Sequence, residues 1–173
     1  MVGGSFAKAI KENQLTDYRV LAIDKDEATI SKALEEGVIQ RGETENQSIL
    51  QEADIVIIAL YPQAMRAFIK KHGSQFKAGA IVTDTAGVKG ALIENMKDDI
   101  PKQVDFIFGH PMAGRESSGY AYATGAIFKG ANYLITPIET NKSQNIETLI
   151  HLFKALGFKR VTVINPDKHD EMI

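Results

Sequence analysis

Apolar residues along the chain form two kinds of segment that alternate almost throughout. Short apolar runs are typical of strands, and they occupy residues 18–24, 53–60, 80–84, 104–108, 132–136 and 160–164. Between the runs, apolar residues recur at helical spacing, which predicts helices over residues 27–36, 62–71, 91–96 and 146–156. The run at 53–60 does not alternate in polarity, so we expect a strand buried on both faces. The alternation of strands and helices predicts βαβ units and an α/β fold with a mostly parallel sheet.

The start of the chain carries part of a dinucleotide-binding pattern. Residues 1–10 read MVGGSFAKAI, a glycine-rich turn that leads directly into a predicted helix. In a G-x-G-x-x-G fingerprint, Gly3 would be the third glycine, which lets the helix pack closely on its strand. Asp24 ends a strand 21 residues after Gly3, at the spacing of the acidic residue that hydrogen-bonds a ribose 2′-hydroxyl. Gly3 and Asp24 together predict a Rossmann-type doubly wound domain that lacks its first strand. The alternative is that Gly3-Gly4 is only a flexible start of the chain.

The last residues predict the beginning of a further helix. Pro166 stands where a first helical turn accepts proline, and the acidic residues after it suit a helix N-terminus. We expect residues 1–164 to form the nucleotide-binding domain, incomplete at its N-terminus, and residues 165–173 to begin a helical domain. Both ends are expected to be cut, so that the chain is a fragment of a longer protein.

Residues 109–119, GHPMAGRESSG, contain the first candidate for proton chemistry. A histidine at the carboxyl end of a strand, before a proline and a glycine-rich turn, points into the crevice where open α/β sheets bind ligands. His110 therefore suits acid–base chemistry, because the unperturbed pKa of histidine lies nearest to neutral pH. The alternative is a histidine that caps the strand and satisfies a local carbonyl.

Composition narrows the classes of function. Of the 173 residues, 44% are apolar and 24% charged, which predicts a buried core rather than disorder. A net charge of −2 gives no electrostatic footprint for nucleic acid, and no apolar run approaches the roughly 20 residues that span a bilayer. There is no cysteine, and no group of His, Asp and Glu has metal-ligand spacing, so we expect no metal. Without a secretion signal, we expect a cytoplasmic protein.

These motifs together resemble the prephenate dehydrogenase family, whose members oxidise prephenate or arogenate on the way to tyrosine. The resemblance covers nearly the whole chain, and the Gly-His-Pro-Met-Ala-Gly element at 109–114 is its most specific part. The other elements are Gly3-Gly4-Ser5, Ala22-Ile23-Asp24, the TDTAGVK segment at 83–89, Glu116-Ser117-Ser118-Gly119, and Pro166 with His169-Asp170.

The resemblance implies an oxidative decarboxylation, in which a hydride leaves C4 of prephenate for a nicotinamide while CO₂ leaves C1 and the ring becomes aromatic. As a neutral imidazole, His110 would take the proton of the C4 hydroxyl. Asp24 would select NAD, while Lys25 leaves an opening for NADP. A homodimer is implied for the full-length parent. The implied cofactor contacts are Val2, Gly3, Asp24, Lys25, Leu60, Tyr61 and Asp84, and the implied substrate contacts are Gly87, Arg115, Glu116 and Ser117.

The chain departs from the family pattern at three places. Many members carry a serine before Val-Lys in the second motif, where it helps to bind the substrate hydroxyl, and this chain has Gly87 there. The first strand and the first two glycines are absent, which predicts two exposed strand edges within the sheet and a reduced pyrophosphate cradle. The helical domain, from which the family takes a substrate-binding arginine and most dimer contacts, is also missing.

Two other interpretations of function are open. Dehydrogenases of the β-hydroxyacid type share this nucleotide domain, but they use a lysine from a later helix as acid–base group, and the His-Pro-Met-Ala-Gly element argues against them. A non-catalytic nucleotide-binding module would bind NAD without turnover. Prephenate and arogenate are both candidate substrates.

Overall fold

The computed structural model describes residues 1–114 and 117–173. Its helices are α1 (Val2–Glu12), α2 (Glu27–Glu35), α3 (Ile49–Glu52), α4 (Pro62–His72), α5 (Gly90–Met96), α6 (Ser143–Ala155) and α7 (Pro166–Met172). Its strands are β1 (Leu21–Ile23), β2 (Arg41–Glu43), β3 (Ile55–Ile58), β4 (Ile81–Asp84), β5 (Asp105–Met112), β6 (Asn132–Thr136) and β7 (Arg160–Val163). Short 3₁₀ helices span Gly73–Gln75, Tyr120–Tyr122 and Gly125–Phe128. Over these described ranges, no helix combines the length and apolar character needed to cross a membrane.

Five strands form one sheet in the order β3-β4-β5-β6-β7, and β1 and β2 form a separate pair. Strands β5 and β6 are antiparallel, and the other neighbouring strands are parallel. Helices cover both faces of the five-stranded sheet, because Phe6 of α1 and Phe153 of α6 belong to one core cluster and Met65 of α4 and Met96 of α5 to another. The predicted doubly wound, mostly parallel α/β fold is therefore confirmed.

A groove of about 610 Å³ separates β1 from β3. Apolar residues of both strands line it, among them Leu21, Ile23 and Ile57. Among the described residues, β1 pairs only with β2 and β3 only with β4, so the strand edges at the groove are unpaired. The predicted exposed edges are present. They also explain why residues 55–57 are only partly buried, whereas the sequence predicted burial on both faces of this strand.

Two local predictions are wrong. Helix α1 begins at Val2, so Gly3 and Gly4 lie inside its first turn and not in a loop before it. Strand β5 continues to Met112, so His110 lies within the strand, opposite Leu134 of β6, and not at the carboxyl end. Antiparallel pairing with β6 extends β5 beyond its apolar run, and the apolar pattern carries no sign of that pairing.

The sequence also missed β2 and α3. The three residues of β2, Arg-Gly-Glu, contain no apolar run, and α3 is a single turn. Close packing explains the polar strand, because a Cβ on Gly42 would overlap Ile30 of α2. The absence of a side chain at Gly42 thus lets α2 lie directly on the β1–β2 pair.

Candidate active site

The first turn of α1 lies against the carboxyl end of β3. A Cβ on Gly3 would be 3.3 Å from the Cβ of Ala59, so the lack of a side chain allows this close approach. The backbone N–H of Ser5 donates to the carbonyl of Met1 at 3.0 Å, as the first bond of the helix. The N–H groups of residues 2–4 therefore have no acceptor within α1. A helix N-terminus of this kind suits an anionic group such as a phosphate.

Side chains beyond the ends of β1 and β3 surround the same end of the groove. Asp24 is exposed, lines the groove, and accepts a hydrogen bond from the N–H of Asp26 at 2.9 Å. Lys25 beside it is also exposed. Leu60 and Tyr61 follow β3 with 41% and 82% of their surfaces exposed. The structure thus brings a carboxylate and exposed apolar side chains to one groove, which suits a ligand with hydroxyl groups and a flat ring.

A buried ion pair lies beside the candidate base. The Nζ of Lys89 donates to Asp84 at 2.6 Å, and neither side chain is exposed. The Asp84 carboxylate also accepts the N–H groups of Ala86 at 3.1 Å and Gly109 at 3.0 Å. Burial lowers the pKa of Lys89, while the charge of Asp84 opposes that shift. Asp84 therefore joins the loop after β4 to β5, and with zero exposure it presents no surface to a cofactor in this conformation.

His110 is the first member of a chain of three hydrogen-bonded side chains. Its Nδ1 lies 3.0 Å from Nε2 of His169, and Nδ1 of His169 lies 2.8 Å from Oδ1 of Asp170. Asp170 in turn accepts the N–H groups of Lys89 at 3.0 Å and Gly90 at 2.7 Å. Helix α7 is thus fixed to the start of α5, and the buried His169 reaches the side of His110 that faces away from Gly87.

The other nitrogen of His110 faces an exposed glycine. A Cβ on Gly87 would lie 3.6 Å from Nε2 of His110, so the space beside this nitrogen is free of side-chain bulk from the loop. Burial, together with the positive charge of the nearby Lys89, lowers the pKa of His110 to about 4. The imidazole is therefore neutral at pH 7, and its Nε2 is placed to contact a ligand near Gly87.

The remaining predicted contacts have different positions. Val2 packs against the core cluster that contains Phe6, with only part of its surface exposed. Ser117 is partly buried in the connection between β5 and the 3₁₀ helix at 120–122. Arg115 and Glu116, which the sequence assigned to the substrate, lie outside the described residues.

Three residues of the cluster, Lys89, His169 and Asp170, were absent from the predicted site. A signal existed for all three, because the family resemblance includes the TDTAGVK segment, which ends at Lys89, and His169-Asp170 in α7. Neither the helix pattern nor the spacing showed that α7 returns to His110 in β5. That contact depends on tertiary packing across 59 residues of chain.

The comparisons with known proteins agree with this geometry. The family model for the nucleotide-binding domain of prephenate dehydrogenase matches residues 6–162. A prephenate dehydrogenase of Bacillus subtilis is 29% identical over 171 residues, which are 98% of this chain and 46% of that protein. A cyclohexadienyl dehydrogenase of Zymomonas mobilis is 24% identical over 173 residues, which are 100% of this chain and 58% of that protein. The chain thus spans about half the length of these relatives.

Solved structures give the same result. Prephenate dehydrogenase from Aquifex aeolicus has a TM-score of 0.87 at 27% identity, over 99% of this chain and 60% of that one. The Synechocystis arogenate dehydrogenase has the same TM-score and identity, over 99% of this chain and 59% of that one. A second Aquifex aeolicus structure, with a TM-score of 0.87, is a complex with hydroxyphenyl propionate and NAD⁺. The chain therefore belongs to the prephenate dehydrogenase family, to the nucleotide-binding domain of that family.

Proposed function

We propose that this chain forms the NAD-binding part of a dehydrogenase that converts prephenate to 4-hydroxyphenylpyruvate, with arogenate as the alternative substrate. The observation that carries the proposal is the position of His110. Its Nε2 faces free space at Gly87, while its Nδ1 is held by His169 within the protein. A neutral histidine with one free nitrogen is suited to take a proton from a substrate hydroxyl.

The residues at the groove fit a dinucleotide. The N–H groups of residues 2–4 suit a pyrophosphate, and Asp24 suits a ribose 2′-hydroxyl at the end of β1. When bound, NAD supplies the hydride acceptor at its nicotinamide ring. We favour NAD over NADP, because the carboxylate of Asp24 would repel a 2′-phosphate, although Lys25 beside it would partly offset that repulsion.

His110 would act on the hydroxyl at C4 of the substrate. Nε2 accepts the hydrogen bond from this hydroxyl and takes its proton as the carbonyl develops, while the C4–H bond gives up its hydride. The pKa of His110, lowered to about 4 by burial and by the nearby Lys89, keeps the imidazole neutral before the reaction. Loss of CO₂ from C1 makes the ring aromatic, so the main task of the protein is to orient the two reactants.

We also propose a homodimer in the cytoplasm, with residues 1–164 as the nucleotide domain and α7 as the start of a helical region. Two exposed apolar side chains support an interface near α7, because Val163 and Met172 expose 45% and 64% of their surfaces. Light scattering on the purified protein would show a species of twice the chain mass, and a monomer at high concentration would contradict the interface.

Calorimetric titration with NAD tests the cofactor part of the proposal. We expect Asp24→Ala to weaken NAD binding by about 1–3 kcal/mol, the size of a lost hydrogen bond to a charged group. Asp54→Ala is the matched control, because Asp54 lies at the edge of the same groove but before β3. Equal affinity in the wild type and in Asp24→Ala would remove Asp24 from the site.

Turnover tests the base. With prephenate and NAD, we expect His110→Gln to lower kcat by about 10²–10⁴-fold, the usual contribution of a general base, while NAD affinity is kept. His151→Gln in α6 is the control. An unchanged kcat in His110→Gln would exclude the proposed role of His110, and NAD binding without turnover in the wild type would favour a non-catalytic module.

A further inference from the structure

We propose that His169 and Asp170 are positioning residues that fix the proton of neutral His110 on Nδ1 and leave Nε2 as the free base. The use of this arrangement rests on the proposed function. The position of the proton is a property of the chain alone, however, and can be measured without substrate or cofactor.

Asp170 determines which atoms donate and which accept along this chain of hydrogen bonds. Its carboxylate accepts the backbone N–H groups of Lys89 and Gly90, so it is held at the start of α5. Partial burial opposes ionisation, but the hydrogen bonds from His169 and from these two N–H groups lower the pKa of Asp170. An ionised carboxylate only accepts hydrogen bonds, so Nδ1 of His169, 2.8 Å away, must be the donor.

His169 transmits this direction to His110. In the neutral form of His169, a proton on Nδ1 leaves a lone pair on Nε2. That Nε2 lies 3.0 Å from Nδ1 of His110, and the side chain of His169 has no exposure, so water does not reach this nitrogen of His169. His110 must then donate from Nδ1, and its Nε2 keeps the lone pair that faces Gly87.

The buried charge nearest to His110 favours its neutral form before the reaction. Lys89 of the α5 start places a buried positive charge near His110, and Asp84 of β4 partly balances it. Asp170 of α7 contributes the negative charge at the far end of the chain. When Nε2 of His110 takes a proton, the imidazolium keeps its Nδ1–H bond to His169, and the charge of Asp170 stabilises it through that ring.

Nitrogen NMR on ¹⁵N-histidine-labelled chain reads the tautomer of each histidine directly. At pH 7, we expect His110 to be protonated on Nδ1 in about tenfold or greater excess, since a buried donor without a partner is costly. His169→Gln keeps an acceptor close to the position of Nε2 of His169, opposite Nδ1 of His110, and should preserve this excess. His169→Phe fills the space without an acceptor and should bring the two tautomers of His110 to within a few-fold of each other. His151→Gln assigns its own signal and is the unaffected control.

A proton on Nε2 of His110 in the wild type would overturn the proposal, and so would an unchanged tautomer ratio in His169→Phe. If His169→Phe does not fold, Asp170→Ala replaces it, because it removes a partly exposed carboxylate and frees Nδ1 of His169. An unchanged His110 ratio in Asp170→Ala would then overturn the proposal in its place. Loss of turnover or of NAD binding alone would count against the proposed function, whereas the tautomer is measured independently.

Discussion

Two regions of the candidate site, the His110 cluster and the groove between β1 and β3, differ in how their side chains are packed and paired. In the His110 cluster (Asp84, Lys89, His110, His169 and Asp170), each side chain has a hydrogen-bond partner in the protein, and three of the five are fully buried. In the groove between β1 and β3, apolar side chains and unpaired strand edges face open space.

The difference shows which half of the site is formed without a ligand. Buried polar groups are costly unless they are paired, so the cluster holds its side chains in one arrangement. In the open groove, apolar surface stays in contact with water and does not contribute to the stability of the fold. We therefore expect the base to be pre-organised, and we expect the side chains that line the groove to be held less tightly.

Removal of the Asp84 carboxylate should give the largest loss of stability, and it compares the buried cluster with an exposed ion pair at the edge of the groove. Asp84→Ala leaves the buried Lys89 without its counter-charge, and we expect the free energy of unfolding to fall by about 3–5 kcal/mol in urea titrations. Asp54→Ala breaks the exposed ion pair with Lys77 and should cost at most about 1 kcal/mol. Similar losses in the two variants would mean that water reaches the cluster.

Isoleucine truncation compares the groove with the core by the same chemical change. Ile107 of β5 is fully buried, so Ile107→Ala should lower the free energy of unfolding by about 2–5 kcal/mol. Ile57 of β3 lines the groove and is only partly buried, so Ile57→Ala should cost about half as much or less. Equal losses would show that the groove is closed in solution, and the comparison of the two regions would fail.

Two glycines beside the cluster differ in the space around them. A Cβ on Gly109 would lie 2.8 Å from the ring of Tyr133, so Gly109→Ala should lower the free energy of unfolding by about 1–3 kcal/mol. A Cβ on Gly87 would lie at an ordinary contact distance from His110. Gly87→Ala should therefore change the free energy of unfolding by less than about 0.5 kcal/mol. A large loss in Gly87→Ala, measured by thermal unfolding, would show that the loop after β4 packs more tightly than the structure has it.

Acid should act on the two regions over different pH ranges. The pKa of His110 is lowered from about 6.5 to about 4, so the unfolded chain binds more protons between these values and stability falls as the pH drops through them. We expect a loss of about 1–2 kcal/mol after allowance for the partial exposure of His110, and His110→Gln should abolish it. His151→Gln should retain the loss, and urea titrations at several pH values measure it.

The β1–β2 pair should respond at lower pH. Partial burial of Glu43 opposes ionisation, but hydrogen bonds from Gln47, Ser48 and Ile49 lower its pKa from 4.5 to about 2. The stability that these bonds contribute is present above pH 4.5 and is lost as the pH falls towards 2. Because glutamine does not titrate, Glu43→Gln should lose less stability than the wild type as the pH falls from 4.5 towards 2, as measured by urea titrations. Equal losses in that range would contradict this assignment.

The sequence predicted the parts of the molecule that depend on local pattern. The apolar runs located six of the seven strands within residues 1–114 and 117–173, and the spacing of Asp24 after Gly3 placed both at the groove. The candidate base was found from its proline and glycine neighbours. What failed depends on pairing between distant segments: the extension of β5 by β6, the polar strand β2 and the return of α7 to His110. A buried Lys89 is likewise invisible in a sequence, because only the folded chain supplies Asp84 as its partner.

The 59-residue separation of His110 and His169 has a consequence for synthesis on the ribosome. At about 5–20 residues per second, His110 is translated roughly 3–12 seconds before His169. In that interval His169 is absent, so it cannot direct the proton of His110 to one ring nitrogen. The translation rate thus sets a minimum delay before the nascent chain can form the hydrogen bonds from Asp170 through His169 to His110. A chain released before residue 170 could form part of its sheet but not this chain of hydrogen bonds.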